Sequence, residues 1–165
     1  MKNRRHAGLY NLGIDVCPRT TRWGIFAANH RERCLCPSRV LHSGEVETQD
    51  DLKQTLRLLF EAVPSVTGIS PNAFHIGVAV AGVVRDDSLH EAWSLPRWTG
   101  TNIRSVVREC MPHVACGPRY LAVFNDLSAL QAADEHALRS SEKLGRLDLV
   151  GVLGAAFLAY RSFVR

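Results

Sequence analysis

Seven consecutive residues, Phe74-His75-Ile76-Gly77-Val78-Ala79-Val80, run almost without a polar interruption. A strand with one wet face alternates apolar and polar side chains, so a run like this predicts a central strand covered on both faces. The predicted fold is therefore α/β, with helices packed on the two faces of a sheet. A chain of 165 residues, 46% of them hydrophobic, is long enough for one compact domain with a real core and too short for two large ones.

The segments before that strand read differently. Leu12, Ile14 and Val16 alternate with Gly13 and Asp15, a half-buried strand, and Cys17-Pro18-Arg19-Thr20 follows as a turn. A second strand is predicted over Thr21–Ala28, with Trp23, Ile25 and Ala27 on one face. A third lies between Arg31 and Leu41, where Pro37 forces an edge position or a bulge. Three strands at hairpin spacing make an antiparallel meander. A helix follows, capped by Thr48 or Asp50, carrying Leu52, Leu56, Leu59, Phe60 and Val63 at helical spacing and closed by Pro64.

After the central strand, a loop containing Asp86, Asp87, Trp93, Pro96 and Trp98 leads to a short helix over Asn102–Cys110. A strand over Tyr120–Phe124 and a helix from Leu127 to about Arg139 complete another unit. The last apolar run, Leu149–Tyr160, begins as a strand. The order β-β-β-α-β-α-β-α-β predicts a mixed sheet with helices on both faces.

Several classes of function are set aside by composition. No apolar stretch reaches the roughly 18–20 residues of a membrane helix. The basic N-terminus is followed by Gly13 and Asp15 rather than a secretory apolar region, so a cytoplasmic protein is expected. The net charge is +4, but the arginines are scattered and no recognition motif accompanies them, so no nucleic-acid role is expected. Five cysteines cannot all pair within one chain, which points to reduced thiols. His30, Cys34, Cys36 and His42 are zinc-competent residue types, yet their spacing matches no common finger. Cys34 and Cys36 read instead as small apolar residues on one strand face, and no metal site is expected there.

Three strands end in residues suited to chemistry. Asp15 lies near the end of the first strand beside Gly13, Gly82 follows the central strand, and Asn125-Asp126 follows the strand after it. Ligands of open α/β sheets gather outside the carboxyl ends of the strands, and a carboxylate there can take a proton from a substrate hydroxyl. Asp126 is equally suited to capping the next helix, and Gly82 to relieving a turn. His75, inside an apolar strand, reads as a core histidine. Trp93 and Trp98 read as loop tryptophans covering an edge of the core, with stacking on a sugar ring as the alternative.

Taken in order and spacing, Gly13-Ile14-Asp15, Ile76-Gly77-Val78-Ala79-Val80-Ala81-Gly82-Val83-Val84, Leu95-Pro96-Arg97-Trp98 and Val123-Phe124-Asn125-Asp126 form a recognisable set. It resembles the N-terminal lobe of the ROK family of bacterial sugar kinases and sugar-responsive repressors. The resemblance runs from about Leu9 to Phe157. It implies an actin-like, ribonuclease-H-like ATPase lobe occupying 9–165 behind a basic tail at 1–8. It also implies ATP-dependent phosphorylation of a hexose, with Asp126 as the base for the attacking sugar hydroxyl. Gly82, Asn125 and Ser94 would lie against the sugar. Asp15, with Arg19 adding charge, would help hold the phosphates of magnesium–ATP.

The departures shape the expected activity. The family's Asp-x-Gly-Gly-Thr is Asp15-Val16-Cys17-Pro18-Arg19 here, and Pro18 lacks an N–H that could cradle phosphate. Pro-Gly becomes Ala81-Gly82, Asn-Asp-Ala-Asn becomes Asn125-Asp126-Leu127-Ser128, and the expected glutamate is Asp134. Leu153-Gly154-Ala155-Ala156-Phe157 stands where the second phosphate loop, Gly-Thr-Gly-x-Gly, belongs. The family's C-terminal lobe, with its Glu-x-Gly-His motif and zinc cysteines, has no counterpart in these residues. Neither has the winged helix of its repressors. The isolated chain is thus expected to be inactive as a kinase, working with a partner that supplies the second lobe. The alternatives are a sugar-binding or oligomerisation module without chemistry, or a decayed remnant. Self-association through a surface normally covered by the second lobe is a further expectation.

Overall fold

A computed structural model of the chain describes residues 10–17, 21–27, 34–41, 48–68, 70, 74–92, 94, 96–112, 120–140, 154–156 and 158–159. Five strands form the main sheet: β1 (Tyr10–Val16), β2 (Thr21–Ala27), β3 (Cys34–Leu41), β4 (Phe74–Val80) and β7 (Tyr120–Asn125). They lie in the order β3-β2-β1-β4-β7. The β1–β2 and β2–β3 pairs are antiparallel, and β1–β4 and β4–β7 are parallel. The mixed α/β sheet read from the sequence is the observed one. β3 is an edge strand, and its register against β2 shifts beside Pro37, between the Trp23–Arg39 and Ile25–Cys36 pairs. A residue without an N–H is tolerated there because an edge strand pairs on one side only.

Helix α1 (Gln49–Thr67) starts with a capping box, in which Thr48 Oγ1 accepts from the Asp51 amide and the Asp51 carboxylate accepts from the Thr48 amide at 2.8 Å. Thr48, rather than Asp50, is the cap. The expected closure at Pro64 is corrected: the helix passes through Pro64 and ends at Gly68, whose left-handed φ of 68° lets its N–H donate to Pro64 O at 2.8 Å. A proline fits helical φ, and in the final turn it removes only one hydrogen bond.

One face of the sheet presents Leu12, Ile14, Val16, Trp23, Ile25, Ile76, Val78, Val80, Leu121 and Val123. They form the main core with Leu52, Leu56, Leu59, Phe60 and Val63 of α1 and Ile103, Val106 and Val107 of α2 (Ile103–Cys110). Trp98, in a 3-10 turn over Pro96–Trp98, is wholly buried in that core, as the covering role predicts. Trp93 lies outside the described residues. The segment expected to be a plain loop instead contains a hairpin, β5 (Val83–Arg85) and β6 (Ser88–Glu91). Asp86 and Asp87 turn it with φ of 49° and 60°. Both central residues of a type I′ turn need positive φ, and Asp-Asp is a weaker signal for it than Asn-Gly. Asp87 also anchors α2: its carbonyl accepts from the Ile103 amide at 2.9 Å, and its carboxylate meets Arg104 Nε at 3.0 Å.

The second face carries a central rung of small residues. Gly24, Gly13, Gly77 and Ala122 are register neighbours across four strands. Ala79, Ala129 of α3 (Asp126–Ser140) and Ala155 form a second core there. The contact is too close for a side chain, since a Cβ on Gly77 would lie 1.9 Å from Ala155 O and one on Gly154 would lie 1.7 Å from Ala129 O. Residues 154–156 and 158–159 are helical. The strand expected at the start of the Leu149–Tyr160 run falls on residues outside those described. Among the described residues no helix is long and apolar enough to cross a membrane.

Gly77→Ala is expected to destabilise the protein by about 3 kcal/mol, because the obstruction is backbone and cannot swing aside. Gly68→Ala, where nothing lies within 4 Å, should cost only about 1 kcal/mol for its left-handed φ. Urea unfolding of the two variants checks the difference, and equal losses would contradict the close contact.

Candidate functional site

The parallel ladders bring three strand ends to one edge of the sheet. Asp15 is in register with Ala79, and Ala79 with Phe124; one step further, Val80 pairs with Asn125. Asp15 at the end of β1, Ala81-Gly82 after β4, and Asn125-Asp126 at the β7–α3 junction therefore share the carboxyl edge.

The two acids differ in setting. Asp15 is buried, with 6% of its surface exposed, and its Oδ2 faces Arg22 Nη1 at 4.0 Å. Its Oδ1 accepts from the Cys17 thiol at 3.8 Å. Burial pushes the Asp15 carboxyl above the ordinary carboxylate range; Arg22 and the Cys17 thiol oppose the shift, and the charge of Asp126 adds to it. That coupling places Asp126 within electrostatic reach of Asp15. Cys17 is pushed up to about 11, first by burial and then by the neighbouring Asp15 charge, so its thiol stays protonated at neutral pH.

Asp126 is exposed, in the first turn of α3. Of the two roles the sequence left open for Asp126, capping falls to its neighbour. Asn125 is the cap, with Oδ1 accepting from the Ser128 amide at 2.6 Å, the spacing of a cap to the third helical residue. Asp126 Oδ1 accepts from the adjacent Leu127 amide at 3.0 Å. Leu127, 70% exposed, lies next to it.

Gly82 has a structural reason to be glycine. Its φ is 137°, and a Cβ would meet Glu91 O at 2.2 Å where the chain leaves β4 for the β5–β6 hairpin. Ser94 is exposed on a turn. Arg19 lies outside the described residues, as do His30 and His42 and the side chains of Cys34 and Cys36. Among the described residues no three His, Cys, Asp or Glu side chains gather closely enough to hold a metal ion. His75 is buried at the opposite end of β4, in register with Asn11, away from this edge. The residue that sequence reading passed over is Arg22. Its signal was the hairpin itself: a turn between β1 and β2 sets Asp15 directly across from Arg22.

No protein-family model matches the chain, and no curated protein matches it. Solved structures do. The inorganic polyphosphate/ATP-glucomannokinase of Arthrobacter sp. strain KM superposes with a TM-score of 0.63 at 18% identity, over 82% of this chain and 50% of that one. The ROK family glucokinase of Streptomyces griseus, solved with glucose and AMPPNP, gives 0.56 at 16% identity, over 77% and 36%. The mixed α/β fold matches the actin-like fold of these kinases. The chain spans half or less of the length of these kinases. T. thermophilus RuvC, solved with a Holliday junction substrate, gives 0.52 at 17% identity and covers 94% and 96% of the two chains. At such identities the likeness is one of fold.

Because Asp15 holds its proton to a higher pH when folded than when unfolded, its buried negative charge costs stability as pH rises above the ordinary carboxylate range. Asp15→Asn is expected to raise the melting temperature more at pH 7 than at pH 4. Equal shifts in melts at the two values would show that burial of the charge is not what strains this site.

Proposed function

We propose that the chain is a divergent ROK-type N-terminal lobe whose carboxyl edge binds a hexose, with Asp126 accepting the hydrogen of a sugar hydroxyl. In an assembly with a second lobe, the same carboxylate would act as the base when that hydroxyl attacks the γ-phosphate of ATP. The observation that carries this reading is the division of labour at the β7–α3 junction. Asn125 takes the cap, so the Asp126 carboxylate is left exposed beside the strand ends where ligands of such sheets bind. The sugar kinases among the structural neighbours support the substrate class by likeness of fold.

Phosphoryl transfer depends on positioning and on charge around the transferred group, so the assembly would need donors this chain does not supply at Pro18. In this reading the polypeptide by itself binds sugar without turnover. It differs from a module without chemistry in that Asp126 keeps a catalytic geometry once the second lobe is present. The likeness to RuvC raises a nucleic-acid reading. Two-metal strand cleavage needs several convergent carboxylates, whereas no three acidic or other metal-ligating side chains gather among the described residues.

Thermal melts and calorimetry of the full chain against glucose, mannose and a non-sugar polyol test the proposal. A hexose at about 100 times its Kd should stabilise the fold by about 2.7 kcal/mol. Asp126→Asn should weaken binding by about tenfold or more, through loss of a charge-assisted hydrogen bond, and leave the fold intact. Absence of hexose stabilisation, or affinity unchanged in Asp126→Asn, would overturn it.

A further inference from the structure

Both oxygens of Asp15 are already engaged by the chain's own side chains. Oδ2 faces the Arg22 guanidinium at 4.0 Å, and Oδ1 takes the Cys17 thiol at 3.8 Å. The ROK resemblance implies magnesium–ATP at this position, and the donor set does not fit it. A magnesium-type ion takes near-octahedral oxygen ligands at about 2.0–2.1 Å, in which a protonated thiol has no place and a guanidinium only repels. Nor does a third acid come close enough to complete a site among the described residues.

We propose that Arg22 is the resident counter-cation of Asp15, standing where a divalent metal would otherwise be recruited, so that this edge of the sheet is metal-free. The placement is set by the backbone. Asp15 and Arg22 are direct cross-strand partners in the β1–β2 hairpin, and opposite charges across such a pair attract. Any cation that reached Asp15 would therefore meet a fixed positive charge on the neighbouring strand. The Arg22 side chain is 30% exposed and that of Asp15 only 9%, so solvent and salt screen this repulsion incompletely. Asp126 adds one exposed carboxylate, which is too little to hold a hard cation against that charge. The inference concerns Asp15 and Arg22 alone and stands apart from hexose binding.

Manganese(II), a paramagnetic stand-in for magnesium, reads the site directly through broadening of backbone amide signals in the full-length chain. In the wild type the amides of Asp15, Val16 and Cys17 should stay sharp at millimolar manganese. Arg22→Gln, which removes the charge, should broaden them and raise the apparent manganese affinity by about tenfold. Arg22→Lys, which keeps a cation in place, should remain silent. Adding Asp15→Asn to Arg22→Gln should abolish the new broadening, showing that Asp15 is the ligand exposed. Broadening of these amides in the wild type would overturn the proposal, as would a folded Arg22→Gln variant that stays sharp. If Arg22→Gln fails to fold, the wild-type titration decides alone: sharp amides uphold the metal-free edge and broadened ones refute it.

Discussion

A row of small residues across the sheet, Gly24, Gly13, Gly77 and Ala122, is the constraint from which the rest of the molecule follows. Side chains there would hold the second layer away. Without them, the backbone at Ala155 reaches the sheet, and Ala129 of α3 packs beside it. Dispersion between close backbones replaces the bulkier packing of the other face, where Trp23, Phe60 and Trp98 fill the space under α1 and α2. With both faces covered, the parallel strands β1, β4 and β7 are shielded as parallel sheets require. Their carboxyl ends then open at one edge, with α3 starting there.

At that edge, two aspartates sit in opposed environments. Burial raises the cost of the Asp15 charge, while Arg22 and the Cys17 thiol partly offset that cost and face its two oxygens. Asp126 is exposed at a helix N-terminus, where a negative charge is favoured. Asp15 lies across the hairpin from Arg22, and Asp126 faces solvent. The glycine that follows β4 belongs to the fold on its own account, because Gly82 must turn the chain with a positive φ against Glu91 O.

Much of this architecture was legible beforehand. The unbroken apolar run of β4 and the leucine spacing of α1 each report a burial pattern that the backbone period imposes, and each appeared as read. The alternation in β1 was read as a half-buried strand, yet β1 is buried from Asn11 to Val16 because the sheet is covered on both faces. The β5–β6 hairpin was not legible, since strands of three and four residues are too short to show alternation and Asp86-Asp87 is a weak turn signal. The end of α1 was misread because Pro64 stops a helix only where its missing N–H and its ring conflict with a continuing turn. Asp126 was visible as a candidate, but whether it or Asn125 served as the cap turned on which side chain met the Ser128 amide.

By itself the amino-acid order determined the α/β class, the core-facing residues and the acids at the strand ends, because these depend on local periodicity and residue chemistry. Only the tertiary structure decided that Arg22 lies across from Asp15, that Asn125 rather than Asp126 takes the cap, and that Gly154-Ala155-Ala156 is packed against Gly77 and Ala129. Those outcomes depend on register and on distances between segments far apart in the chain. No local pattern encodes such distances, since they are set jointly by every element that packs around them.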